Sequence, residues 1–322
     1  MALALFSAFE SGVIYAIMAL GVYLSFRVLD FPDLTVDGSF VTGAAVAAVM
    51  ILQGYNPFLA STVALLAGFV AGCLTGILHT KGGINPLLSG ILMMIALYSI
   101  NLRIMGKSNI PLLNQQTALD QVEAVWSNVA VLSSWGVVIF MLLVTLSFKL
   151  LLDWFLKTEV GLAVRATGNN PKMIRSFAAH TDWLIILGLG VSNAFVAFSG
   201  AFIAQLSSFA DVGMGIGMII IGLASVIIGE ALFGSKTIGR TTLAVIGGAI
   251  VYRIVVSIAL RIEFLDAGDM KLITAIIVII ALIVPKVMDD HKVRKMKKKR
   301  NAQRLANLQS LSEEKEEHHA SS

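Results

Sequence analysis

The chain has 322 residues, of which 57% are hydrophobic and only 14% charged, and its mean hydropathy is +0.84. Soluble domains carry about a quarter charged residues, so this composition excludes an ordinary globular enzyme and points to lipid as the main solvent. The formal net charge of +4 implies no nucleic-acid partner, because ten of the 24 Lys and Arg residues lie from Lys286 onward, in the C-terminal tail.

Apolar runs able to cross ~30 Å of hydrocarbon at ~1.5 Å per residue fall at 4–28, 57–80, 87–105, 130–156 and 183–206, with shorter ones at 39–53, 216–232, 243–260 and 272–288. The expected fold is an all-α polytopic transmembrane helical bundle of about nine spans. The shortest runs follow Gly- and Asp-containing stretches and are candidates for half-helices or re-entrant segments. No Lys or Arg precedes Arg27, so the first run reads as a permanent span rather than a cleaved leader.

Phe31-Pro32-Asp33-Leu34-Thr35-Val36 opens the second run, with Pro32 and Gly38 as helix breakers around Asp33 and Asp37. Acids at a membrane entry need water, protein or a helix N-terminus. Asp37 is placed to cap the second span, and Asp33, Thr35, Asp37 and Ser39 are also candidates to border a translocation path. Cys73, the single cysteine, excludes an intrachain disulfide and reads as a small hydrophobe within the third run. His79 reads as interfacial. Asn85, Ser89, Met93 and Met94 follow one another at roughly helical spacing in the fourth run, where they either line a path or pack in the core.

Residues 157–182 are polar and written as two short helices. Thr158 caps the first, with Glu159 in its first turn and Gly168 just past its end. Asn170 caps the second, with Pro171 at its first position. Val160, Val164, Met173, Ile174 and Phe177 give apolar surface, while Arg165, Lys172 and Arg175 supply positive charge. Such helices either present a surface to a partner or lie in the headgroups.

Phe209-Ala210-Asp211-Val212-Gly213-Met214 repeats the Phe-x-Asp entry before the seventh run, an odd number of spans after the first copy. That is the sign of an inverted repeat with broken helices, and it adds Asp211, Met214 and Met218 to the path candidates. Gly234–Thr241 nearly satisfies a phosphate-cradling loop but carries Arg240 in place of its Lys and lacks a preceding strand, so it reads as a tight turn. Glu230 and Arg253 need partners, in a structural ion pair or a dimer contact. No His, Cys and carboxylate cluster suggests a metal. The tail, basic to Arg304 and acidic from Glu313, either binds anionic lipid or acts as a solvated anchor.

The positive-inside rule places Lys81, Lys157, Arg165, Lys172, Arg175, Lys236, Arg240 and the tail on the cytoplasmic side. Loops 106–129, 207–215 and 261–271, with Asp120, Glu123, Asp211, Glu263, Asp266 and Asp269, fall outside, although Arg261 and Lys271 run against the pattern. The expected orientation is N-terminus outside and C-terminus in the cytoplasm. The domain organisation reads as a first transmembrane half, 1–156, cytoplasmic helices, 157–182, a second half, 183–288, and a tail, 289–322.

The stretch from Val160 through Gly161, Arg165, Gly168, Asn169 and Asn170 to Pro171 resembles the cytoplasmic coupling loop of ABC importer permeases of the branched-chain amino acid and ribose type. Tyr15–Gly21 followed by Asp33-Leu34-Thr35-Val36-Asp37-Gly38-Ser39 is similar to that family's first span and broken second span. Lys81–Pro86 and Phe233–Gly239 resemble later landmarks in the family's order, so the resemblance covers residues 12 to about 260. The Thr-Val-Asp-Gly-Ser form looks like a bacterial branch linked with tryptophan and tyrosine uptake.

The resemblance implies a permease without covalent chemistry, built from two copies of this chain or from this chain and a close relative. It also implies a dimer of ATPase subunits that carries ATP and Mg and docks on residues 157–182, and a solute-binding protein outside. Aromatic amino acids lead as substrate, followed by branched-chain amino acids and sugars. An ion-coupled secondary transporter is the alternative, although it would display intramembrane carboxylates, of which this chain has few.

Overall fold

A computed structural model describes residues 2–126, 135–170, 173–174 and 180–259, and the helical positions 272, 275, 276, 279 and 283. The ninth expected run, loop 261–271 with Glu263, Asp266 and Asp269, and the charged tail therefore lie outside the described residues, those five positions apart. So do Pro171, Lys172, Arg175 and Phe177.

The elements, in order, are α1 (Ala2–Tyr23), ending in a π-helical turn (Leu24–Val28), α2 (Thr35–Leu52), α3 (Pro57–Thr80), α4 (Pro86–Met105), β1 (Asn109–Pro111) and α5 (Ala118–Trp126). They continue with α6 (Gly136–Lys157), α7 (Glu159–Asn169), α8 (Thr181–Ser207), β2 (Phe209–Asp211), α9 (Met218–Phe233) and α10 (Ile238–Ala259). Seven of the described helices are long and apolar enough to cross a membrane. The eighth candidate, α9, has 16 residues, which at ~1.5 Å each falls short of ~30 Å of hydrocarbon.

The helix boundaries follow local chemistry. Asn56 and Asn85 cap α3 and α4 by accepting from Phe58 N (2.9 Å) and Leu87 N (3.0 Å), each with Pro at the first helical position. The chain leaves α1 through the π-turn, Asp30 takes a left-handed φ of 52°, and Pro32 keeps residues 29–34 out of helix. Gly38, expected to break the helix, lies inside α2 instead. A Cβ there would stand 2.9 Å from the Leu97 side chain of α4, so the glycine serves close approach of two helices.

Helix α8 is the centre. It packs against α1, α2 and α3, so the second half of the chain is inserted into the first rather than set beside it. Contact is through small residues: Gly43 faces Ala197, Gly68 faces Asn193 and Ala197, Gly72 faces Leu189, and Gly200 faces Phe40. A Cβ on Gly76 would stand 2.7 Å from Ile186 Cα. In lipid, where apolar surface gains little by meeting apolar surface, such stripes let backbones approach and dispersion add up.

Buried polar groups fasten the same helix. Ser192 donates to Gly21 O (2.7 Å), Ser199 to Ile14 O (2.9 Å) and Gln205 to Ser61 Oγ (2.9 Å), while Ala118 N at the start of α5 donates to Gln205 Oε1 (2.9 Å).

β1 and β2 pair antiparallel, Ile110 opposite Ala210, and tie the ends of α4 and α8 together. At the other end of the bundle α7 lies against the π-turn and α8. The outer faces of α3, α4 and α6 are apolar and exposed, with Leu66, Val70, Leu92, Ile95, Leu150 and Trp154 among them, a surface that calls for lipid or another apolar partner.

Asp33 joins α2 to α8. It is fully buried, accepts from Thr35 N (2.9 Å) and takes a second bond from Asn193 Nδ2 (2.7 Å). Asn193→Leu strands one carboxylate oxygen and is expected to destabilise the bundle by about 2–3 kcal/mol, the worth of a hydrogen bond to a charged group. Asp33→Asn keeps the acceptor for Thr35 N and is expected to cost less. Thermal unfolding of the detergent-purified protein, followed by tryptophan fluorescence, reads both, and unchanged midpoints for Asn193→Leu would contradict the assignment.

Candidate functional site

The second helix does not begin at the end of the bundle. Leu34 N stands against Gly90, in the second turn of α4, and Gly38 against Met94 and Leu97, half way along it. Helix α9 also begins inside. After β2 the chain passes through Gly213, Gly215 and Gly217, the last with φ of 90°, and enters α9 beside α2. A Cβ on Gly215 would run into the Asp37 carbonyl, so only glycine lets this strand of backbone lie against α2.

Asp37 closes the junction. Its two carboxylate oxygens accept from Gly217 N (2.9 Å) and Ile219 N (2.8 Å). It caps α9, not its own helix. The first N–H groups of a helix have no intrahelical partner, and a negative charge there is favoured by the helix dipole. The capping role at α2 falls to Asp33 instead.

Beside this junction a cavity of about 400 Å³ opens between α2, α4 and the α9 entry, with Asp37, Gly38, Met94, Tyr98, Asn101 and Ile216 in its wall. Asn101 is fully buried, and its Nδ2 donates to Gly38 O (3.2 Å). Among the described residues its Oδ1 has no hydrogen-bond partner.

The other path candidates stand elsewhere. Asp33, Thr35 and Ser39 are fully buried in the helix packing, with Thr35 Oγ1 2.8 Å from Thr75 Oγ1. Asn85 is spent on capping, and Ser89 Oγ donates to Pro86 O (2.8 Å). Met93 packs with Ala71 and Leu97. The cavity face of α4 is thus Met94, Tyr98 and Asn101, about 100° round the helix from Met93 by the ~3.6-residue turn. That spacing was present in the sequence as an apolar, an amphipathic and a polar side chain on one stripe.

Asp211 holds the β-ribbon turn, accepting from Gly213 N (2.7 Å) and Asn109 Nδ2 (3.3 Å). The bond to the amide two residues on is shared with Asp33, but Phe209–Asp211 lies in a strand and Phe31–Asp33 does not, and α9 begins only at Met218. Met214 and Met218 are half-buried and pack against the core.

The α7 end carries the second candidate surface. Thr158 caps the helix through Gly161 N (3.2 Å), as expected, and Asn170 Oδ1 accepts from Met173 N (3.1 Å), a cap for the turn that follows. Gly168, expected just past the helix, belongs to its last turn. A Cβ there would strike Val28 O and Leu29, so the residue docks α7 on the junction between α1 and α2. Gly161 faces Phe155 and Leu156 in the same way. Val160, Leu162, Arg165, Asn169 and Met173 are exposed, which leaves an apolar surface with one positive charge beside Glu159, exposed at the start of the helix.

Several of the other charged side chains find partners in the fold. Glu230 takes a fork of bonds from Arg27, Nε standing 3.1 Å from each oxygen. Arg253 donates to Ser11 Oγ (3.2 Å) and lies 4.5 Å over the Tyr15 ring, so the two residues flagged from the sequence do not pair with each other. Arg240 donates to Phe233 O (2.8 Å) and closes the turn that resembled a phosphate loop. Lys149 and Asp153 pair at 2.6 Å, and Thr242 donates to the same carboxylate (2.7 Å), which links α6 to α10. His79 Nδ1 stands 2.7 Å from Ile84 O in the turn after α3. Among the described residues no group of His, Cys and carboxylates is placed to hold a metal.

Comparison with known proteins now bears on this geometry. The family model described as branched-chain amino acid transport system / permease component matches residues 4–283. The tyrosine transport system permease protein of Clostridioides difficile (strain R20291) is 42% identical over 273 residues, 85% of this chain and 88% of its own length. An uncharacterized protein of Rickettsia prowazekii (strain Madrid E) is 34% identical over 282 residues, 86% of this chain and 96% of its own. A probable branched-chain amino acid transport permease protein of Methanocaldococcus jannaschii is 24% identical over 290 residues, 85% of this chain and 89% of its own. No solved structure gives a significant match. With the family match running from the first helix past the last fully described one, the chain belongs to the branched-chain amino acid transport system permease family.

Proposed function

We propose that this chain is the membrane-spanning subunit of an ATP-driven importer that carries an amino acid, aromatic in first place, into the cytoplasm. The observation that carries the reading is α7. It is a helix with exposed apolar side chains and an exposed Arg165, seated by Gly168 on the Val28–Leu29 junction, one short segment away from Asp33 and Asp37. A push on such a helix reaches the broken-helix junction through packed backbone rather than through a flexible loop. The family match and the tyrosine transport relative support the substrate class.

In this reading an ATPase dimer, holding ATP and Mg, grips α7 and the turn that Asn170 caps. A solute-binding protein delivers substrate at the β-ribbon end, and two copies of the chain, in lipid, complete the pore. The α7 end faces the cytoplasm, because Arg27, Lys81, Lys157, Arg165, Lys236 and Arg240 sit in the turns and helix ends there. The N-terminus then lies outside and the C-terminus inside.

Displacing α7 by Gly168→Leu forces a clash worth about 1–3 kcal/mol. ATP-dependent uptake of labelled tyrosine, in cells that also make the ATPase and the binding protein, is expected to fall at least about tenfold. Arg165→Glu is expected to lose the ATPase on copurification while the permease remains monodisperse. Uptake driven by an ion gradient with the ATPase absent would overturn the reading. For orientation, with Cys73→Ser as background, a membrane-impermeant maleimide applied to intact cells is expected to label Lys107→Cys and to leave Asn169→Cys unlabelled until the cells are opened. The reverse pattern would invert the topology.

A further inference from the structure

The cavity beside Asp37 has an uneven wall. Met94, Tyr98, Ile216 and their neighbours make most of it apolar, and among the described residues no Lys or Arg contributes to it. Its polar groups are acceptors for the most part. The Asn101 amide cannot be turned to change this, since its Nδ2 is fixed by the Gly38 carbonyl, which leaves Oδ1 as a buried acceptor without a donor among the described residues. Such an atom forfeits its water without return unless something donates to it. Asp37 is the residue before Gly38, and its carboxylate accepts from Gly217 N and Ile219 N, with Met218 N also bonded to it, which still falls short of the roughly four lone-pair sites a carboxylate offers.

A negative charge and an orphaned acceptor on one wall, with apolar surface elsewhere, select a ligand that carries a cationic donor and an apolar side chain. A volume of about 400 Å³ lies within the ~300–1,000 Å³ range of small-molecule sites. We propose that this cavity recognises the α-ammonium group of a neutral amino acid through Asn101 Oδ1 and Asp37, with the substrate's side chain lying along Met94, Tyr98 and Ile216. The proposal rests on the reading that an amino acid crosses this chain, and it adds that the permease, and not only a binding protein, tests for a free amine. Because the same carboxylate caps α9, an ammonium that draws on Asp37 also acts on the entry of that half-helix.

The test uses the full chain in nanodiscs with Cys73→Ser and Ile216→Cys, so that the only thiol stands in the cavity wall. The rate of maleimide alkylation is measured with L-phenylalanine, 2-phenylethylamine or 3-phenylpropionate. The two amines are expected to slow alkylation and the amine-free acid is not. Adding Asn101→Leu is expected to weaken protection about tenfold, the scale of one charge-assisted hydrogen bond. Equal protection by all three compounds, protection by none, or protection unchanged by Asn101→Leu would each overturn the proposal. In parallel, labelled amino-acid uptake is compared between cells with and without the gene. Uptake that depends on the gene while the protection pattern fails removes the ammonium site and leaves the transport reading standing, whereas uptake independent of the gene removes both.

Discussion

The bonds from Asp37 to Gly217 N and Ile219 N are the constraint on which the arrangement of the bundle turns. A helix that starts inside a membrane protein exposes amide groups that neither lipid nor a neighbouring apolar helix can satisfy. The carboxylate that satisfies them comes from a different broken helix, so neither α2 nor α9 has its position without the other. The glycines of the α9 entry follow from this, since the backbone must lie close enough to α2 for the carboxylate to reach. The cavity follows as well, because two helices that begin part-way through the bundle leave space beside their starts.

Around this junction the fold is held by shape more than by charge. The glycine faces of α2 and α3 meet α8 at backbone distance, and the polar side chains of α8 are spent on carbonyls and hydroxyls of its neighbours. Rigid packing of this kind makes displacement of one helix a displacement of its neighbours. Gly168 puts α7 in the same category, so its exposed face is backed by the core rather than hung from it.

The apolar runs, the cap at Thr158 and the turn at Gly234 were legible in the sequence because each depends on residues close together in the chain, whereas the equally local caps at Asn56 and Asn85 with their prolines were passed over. What escaped was tertiary. Asp37 looked like a cap for the helix it belongs to, since no local pattern reveals that an acid reaches across to residue 217. Gly38 and Gly168 looked like helix breakers because glycine is ambiguous between conformational freedom and the absence of a side chain, and only the neighbouring helix decides. On α4 the expected series Asn85, Ser89, Met93 and Met94 divides, with Met94 in the cavity wall and the other three in caps and packing. Periodicity fixes the spacing of a stripe but not which stripe borders a cavity when both faces are apolar. Arg253 and Glu230 each found aromatic or basic partners far away in sequence, which spacing could not anticipate.

The central place of α8 has a bearing on how the protein is made. The partner of Asp33 is Asn193, 160 residues later, so the acid enters the membrane long before its amide is synthesised. Until then the glycine faces of α2 and α3 have nothing to close on. A chain inserted from its N-terminus therefore completes the packing of its early spans only when the sixth long helix arrives to close on them. The order in which contacts can form, and not only the finished fold, turns on the late arrival of one helix.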